Sequence, residues 1–205
     1  MTEHLVRLSD SMSTPADAAS EYHKNEWEPL RLPFLKKSPA GKWKEPRKWT
    51  EAEIRDEFSD NSNVGIALGT RSQNLIDIDF DCPEAAELAK IVLDALPSFG
   101  RPGSPYSHRI VQAELKKGRY TFELPTQVAA KLNAARTMLL EVRGDGHQTM
   151  FPPSTHPSGE RVQWHAGATS VPRFAAEELL RLCGIIAVLS AVAMAYPKVA
   201  GQRNE

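Results

Sequence analysis

Residues 74–81 read NLIDIDFD, and the pattern of this stretch decides the fold. Strand side chains alternate between faces, so Asp77, Asp79 and Asp81 share one face while Ile76, Ile78 and Phe80 take the other. One face asks for a core and the other carries three carboxylates. Carboxylates two residues apart on a strand lie roughly 7 Å apart at the backbone and can converge on divalent ions spaced about 3.5 to 4 Å. Mg²⁺ or Mn²⁺ suits such oxygen donors. The plain alternative is a solvated acidic face, although Asp is a poor strand former and Thr or Lys would serve solvent better. A calcium loop also begins D-x-D-x-D, but its sixth and twelfth positions, Gly and Glu, are here Cys82 and Leu88.

Working outward, NVGIAL (63–68) and a Gly69 turn precede this strand, and the two runs read as a β-hairpin. Pro83 opens a helix, PEAAELAKIVLDAL, with Leu88, Ile91, Val92 and Leu96 at helical spacing. PSFGRPGSPYSH (97–108) reads as a loop leading to a strand over 108–113; a second strand covers 118–124 and a helix 125–135. MLLEV (138–142) and HQTMF (147–151) read as another hairpin across an Asp-Gly turn. PPSTHPSGE (152–160) reads as a loop, Val162 to Trp164 as extended, and a last helix opens at Pro172 and fades at Pro197. Upstream, Thr50 and Glu53 form a capping box for a helix burying Ile54 and Phe58. Leu30, Leu32 and Phe34 alternate with Pro29, Arg31 and Pro33 in an edge strand. Thr14 caps a short helix, and residues 1–13 read as a flexible leader. Hairpin-length turns with interspersed helices and no glycine-rich phosphate loop predict an α+β fold with a mainly antiparallel or mixed sheet.

The 205 residues suit one domain with a short appendage. With 41% apolar and 25% charged residues the chain is neither disordered, collagenous nor a coiled coil. Lys plus Arg is 25 and Asp plus Glu 26, so no global basic field draws it to nucleic acid, and any such contact needs a local patch. KKSPAGKWKEPRKW (36–49) supplies one: Lys42, Lys44, Arg47 and Lys48 with Trp43 and Trp49 could track a single strand by charge and stacking. Two cysteines make neither a disulfide framework nor a four-thiolate zinc site, which predicts a cytoplasmic protein. The apolar run 184–196 is shorter than the roughly 20 residues of a membrane span, so no membrane partner is expected.

Three further groups carry chemistry. Glu141 in LLEVRGDG shares a face with Leu139 and Arg143; it could complete a metal site with Asp77 and Asp79, or pair with Arg143 or a lysine. Ser107, His108 and Arg109 open a strand after a Gly/Pro-rich loop, where His and Arg can hold phosphate oxygens. Ser154, His156 and Arg161 could reach a ligand, although an ordered turn explains that loop as well. His147, His156 and His165 lack a zinc-ligand spacing.

NVGIALG, LIDIDFD, GRPGSPYSHRIV and LLEVRGDGHQTMFPPSTHPSGERVQW, in that order, resemble the N-terminal domain of bifunctional DNA primase/polymerases, the Prim-Pol family of the archaeo-eukaryotic primase superfamily. The resemblance runs from about Tyr22 to Trp164. It implies an α/β N-terminal module joined to an RRM-like module with the active site between them. It implies catalytic roles for Asp77, Asp79, Glu141 and His108: the three acids as ligands of two Mg²⁺ or Mn²⁺ ions, and His108 on the phosphates of an incoming NTP or dNTP, assisted by Arg109, Ser107 and Ser154. Position 106 is Tyr where the family has a small residue, and Glu141 stands where many relatives have Asp. The implied activity is template-directed nucleotidyl transfer to a 3′-hydroxyl on single-stranded DNA, within a replication protein of a plasmid, phage or prophage. Residues 14–172 are then the catalytic domain, and 173–205 begin a helical region leading to a helicase; no Walker motif occurs in the chain. A metal-dependent nuclease, a DxD glycosyltransferase or a non-catalytic initiation module are the rival classes.

Overall fold

The computed structural model describes residues 14–165 and 170–196; residues 1–13, expected as a leader, and Pro197, where the last helix is expected to fade, lie outside the described residues. In chain order the elements are α1 (Pro15–Lys24), β1 (Glu28–Pro33), α2 (Glu51–Glu57), β2 (Ser62–Ala67), β3 (Leu75–Phe80), α3 (Pro83–Val92), β4 (Ser98–Arg101), β5 (Ser104–Gln112), β6 (Arg119–Glu123), α4 (Thr126–Lys131), β7 (Met138–Arg143), β8 (Gln148–Phe151), β9 (Gln163–Trp164) and α5 (Ala176–Ala195). The expected α+β class holds, with antiparallel pairing between all of these strands.

The strands form two sheets, ordered β1-β2-β8 and β6-β7-β3-β5-β4-β9. Both expected hairpins are therefore absent. β2 pairs with β1 and β8, whereas β3 pairs with β5 and β7. The connection after β2 carries Gly69 at φ 76°, ψ −142°, a short 3₁₀ turn, then Gln73 and Asn74 both at positive φ. That sequence of turns swings the chain into the other sheet, leaving one bridge between Gly69 and Leu75. The connection from β7 to β8 crosses in the opposite direction. PSFGRPGSPYSH, expected to be a loop, contains β4 and the start of β5.

Each sheet covers its own core. The smaller one, with α1 and α2, encloses an aromatic cluster in which Tyr22 stacks on Trp27 and meets Phe151 edge-on, with Phe99 and Trp164 beside them. Thr50 and Glu53 close the expected capping box, and Ile54 and Phe58 are buried. The second core takes the apolar face of β3, as its alternation requires: Ile76, Ile78 and Phe80 pack under α3 and α5. On α3 the buried residues are Ala85, Ala86 and Ala89, whose small size brings the helix close to its neighbours, and Ile91 is exposed, contrary to the expected spacing. The last helix starts at Ala176 because residues 172–174 first line up beside β5: Gln112 N donates to Pro172 O and Phe174 N to Gln112 O. Leu179, Cys183, Ile186, Ala187 and Ser190 form its buried stripe, while Val188, Leu189 and Val192 are exposed. The helix has the length and composition to cross a bilayer, which its 13-residue apolar run alone did not suggest.

Candidate active site

The central strand β3 sets the site. Asp79 lies abreast of Glu141 on β7 and of His108 on β5, and His108 lies abreast of Phe99 on β4. Residues abreast on antiparallel strands share a face, so one row of the large sheet presents Glu141, Asp79 and His108. The His108 ring stacks flat on Phe99, with centroids 4.6 Å apart. One step along β3, Asp77 faces Arg143. Thr149 comes from β8 of the smaller sheet and donates to Asp77 Oδ2 at 2.6 Å. The crossing of β7 into β8 thus makes the second wall of the site, a cleft of about 280 Å³ between the sheets. Asp79, Asp81, Ser107, His108 and Arg143 line it, with Lys37, Arg101, Arg136 and His156 as further cationic or titratable groups.

Asp77 is completely buried. Burial alone would raise its pKa, but the charges of His108 and Arg143, with hydrogen bonds from His108 and Thr149, hold the carboxyl far below the usual range. Arg143 Nη2 reaches Asp77 Oδ2 at 2.6 Å and Asp79 Oδ2 at 2.7 Å. His108 Nδ1 lies 3.1 Å from Asp77 Oδ1 and 3.7 Å from Asp79 Oδ1. Burial opposes its charged form, yet Asp79 and Asp77 together raise its pKa. With Nδ1 beside the acids, Nε2 is the ring atom left to a ligand. Asp81 closes the row: burial, then the charges of Asp79 and Glu141, push its pKa up to about 6.

Not every expected residue arrives here. Glu141 turns to Arg119, not to Arg143, in a short ion pair. Arg109 sits on the opposite face of β5, buried, donating to Leu96 O at 3.0 Å, with its pKa lowered by burial. Ser154 is buried and exchanges hydrogen bonds with the Val64 backbone, its hydroxyl accepting from N and donating to O. Ser107 does line the cleft, because Tyr106 adopts φ 57° where the β4–β5 register shifts. Trp49 is a core residue donating to Pro29 O, and Arg47 covers its ring at 3.6 Å, so neither is free for bases. Trp43 packs partly against the first core, while Lys42, Lys44 and Lys48 are exposed. Sequence reasoning missed Arg143 and Thr149 as partners of Asp77. For Arg143 a signal existed, since it lies two residues from Glu141 on the same face of a strand; Thr149 depends on a crossing that no local pattern reveals.

The resemblance implies divalent ions, and the donors fit one. Asp77, Asp79 and His108 can offer three ligand atoms within 4.8 Å of one another. Two carboxylates with one imidazole suit a divalent cation. Burial is the main cause of the raised Asp81 pKa, and a bound cation would offset the Asp79 and Glu141 charges that add to it. The group differs from the expected Asp77, Asp79 and Glu141 set in having His108 where Glu141 was placed.

No curated protein matches the chain. Residues 19–177 match the family described as bifunctional DNA primase/polymerase, N-terminal, whose name denotes a primase/polymerase nucleotidyl-transfer activity in DNA replication with nucleotide and DNA as substrates. That match covers most of the chain and runs through every strand of both sheets and the whole cleft, so the chain belongs to the bifunctional DNA primase/polymerase N-terminal (Prim-Pol) family.

Proposed function

We propose that this chain is a DNA-dependent primase/polymerase that transfers nucleotides from NTP or dNTP to a 3′-hydroxyl on a single-stranded DNA template. The observation that carries the reading is the row of Asp79 and His108 beside the buried Asp77 at the base of a cleft rimmed by cationic side chains. Asp77 and Asp79 would hold Mg²⁺ or Mn²⁺, with Glu141 joining if it leaves Arg119. Bound there, the ions would lower the pKa of the attacking hydroxyl and offset the charge of the departing pyrophosphate. His108 donates from Nε2 to a phosphate oxygen, and its stack on Phe99 fixes the ring plane. Arg143 already satisfies two carboxylates, and its buried Nε has no hydrogen-bond partner among the described residues, which suits an anionic ligand. Lys42, Lys44 and Lys48 offer the template phosphates an exposed cationic loop. On this reading the chain is the catalytic part of a cytoplasmic replication protein of a plasmid, phage or prophage, joined to a helicase region.

Calorimetry tests it directly. Mn²⁺ and dATP together should bind with a stoichiometry near one nucleotide per chain, and the Asp79→Ala variant should lose that binding. A non-catalytic scaffold would show no metal-dependent nucleotide binding in either protein.

A further inference from the structure

The β4–β5 hairpin and the β8–β9 loop meet at the mouth of the cleft through one carboxylate. Glu160 Oε2 accepts from Arg101 Nη1 at 2.6 Å and from Ser158 Oγ at 2.7 Å, and Oε1 accepts from the backbone N–H of Gly103. Both side chains are about three-quarters covered. The loop that carries Glu160 is itself closed, since His156 N donates to Glu160 O and Gly159 N to His156 O. Gly103 is the residue that permits the approach: a Cβ there would lie 2.8 Å from Glu160 Oε1 and 2.9 Å from Arg101 Nη1. A guanidinium has five N–H donors, and this contact uses one edge of Arg101. The residue also lines the cleft that holds His108 and Ser107, and the adjoining cavity beyond Asp81. A surface ion pair would not need three donors on one carboxylate, a glycine kept clear beneath it and a closed turn to present it. The arrangement fixes the direction of a cation at the cleft mouth.

Building on the nucleotidyl-transfer reading, we propose that Arg101 binds the phosphates of the incoming nucleotide and that Glu160 is the positioning residue that aims it. Arg suits this role because its planar fork meets two phosphate oxygens at once, and a held fork loses less freedom on binding. Neither residue belongs to the acidic or histidine motifs of the family resemblance.

The test is steady-state primer extension by the full chain with Mn²⁺, varying the dNTP. Arg101→Gln should raise the nucleotide KM by about 10- to 50-fold and Glu160→Ala by about 5- to 20-fold, with the primer KM unchanged within twofold. Glu160→Gln should fall between Glu160→Ala and the parent, because an amide oxygen can still accept from Arg101 while its nitrogen cannot accept from Gly103 N–H. Gly103→Ala, which removes neither charge, should reproduce the Glu160→Ala effect. The double variant Arg101→Gln/Glu160→Ala should be no worse than Arg101→Gln alone, since Glu160 acts through Arg101. Multiplying effects in the double variant, or a Glu160→Ala enzyme whose nucleotide KM stays within twofold of the parent, would overturn the proposal. If the parent itself makes no product, the nucleotidyl-transfer reading is what has failed, and the clamp is then read from calorimetric binding of sodium tripolyphosphate. Loss of at least about tenfold in affinity on Arg101→Gln supports it, and equal affinity refutes it.

Discussion

The two ends of β3 sit in opposite circumstances. At the Leu75 end the connections between the sheets lock onto each other. Leu68 N donates to His147 O, Gly69 N to Leu75 O, and Asp145 Oδ1 accepts from both the N and the Oγ1 of Thr70. At the Phe80 end Asp79 and Asp81, with Glu141 abreast, crowd the edge of a cleft; Asp81 resists ionisation up to about pH 6, and Arg143 Nε is buried without a partner among the described residues. One end is a joint with its hydrogen bonds made inside the chain, and the other retains charge and donors for a ligand. Residues of the joint should therefore matter to stability, and residues of the cleft to chemistry.

The largest stability effect is expected at Gly69. Its φ of 76° with ψ of −142° is a conformation nearly restricted to glycine, and a Cβ would lie 2.1 Å from Asp145 Oδ1. Gly69→Ala should cost about 3 kcal/mol or more, read as a lowered urea midpoint.

A smaller change of opposite sign is expected at Asp81→Asn. A folded-state pKa near 6 against the usual 3.8 means the folded protein favours the protonated acid. The native carboxylate therefore costs nothing below about pH 4, costs progressively more up to about pH 6, and costs its full amount above that. In metal-free buffer the variant should be more stable than the parent by about 1–2 kcal/mol at pH 7, with the gain fading as pH falls from 6 to 4. Urea titrations at pH 4, 5, 6 and 7 check both sign and window; a gain at pH 4 equal to that at pH 7 would contradict the assignment.

Asp145→Ala should have the smallest effect, about 1 kcal/mol, because its two hydrogen bonds to Thr70 are exposed. It should leave nucleotide binding unchanged, which a calorimetric comparison with the parent checks. Lost binding would mean that the joint and the cleft are not independent.

Much of the Phe80 end was legible in the sequence. Strict alternation in LIDIDFD (75–81) placed three acids on one face and Ile76, Ile78 and Phe80 in the core, and period-two reasoning needs no knowledge of the partner strands. His108 was legible as the first charged residue of a strand after a Gly/Pro loop. The Leu75 end was not. A turn of a few residues between β-branched runs is the usual signature of a hairpin, and it is Gly69, the 3₁₀ turn and the left-handed residues 73 and 74 together that send the chain to a second sheet. The same gap hid Thr149, since its contact with Asp77 spans 72 residues of sequence. Arg109 and Ser154 misled for a local reason: polar type suggested ligands, but strand alternation buries Arg109 on the far face and the Val64 backbone occupies Ser154.

On the proposed function, the acids of β3 run metal-dependent nucleotidyl transfer. The most direct test is extension of a labelled primer on single-stranded DNA with Mg²⁺ or Mn²⁺, comparing the parent with Asp79→Ala and repeating the reaction without primer. Metal-dependent product is expected from the parent and at least about a thousandfold less from the variant at an unchanged fold; product without primer would add priming to extension. Equal product from both proteins, or none from a folded parent that binds Mn²⁺ and dATP, would contradict it.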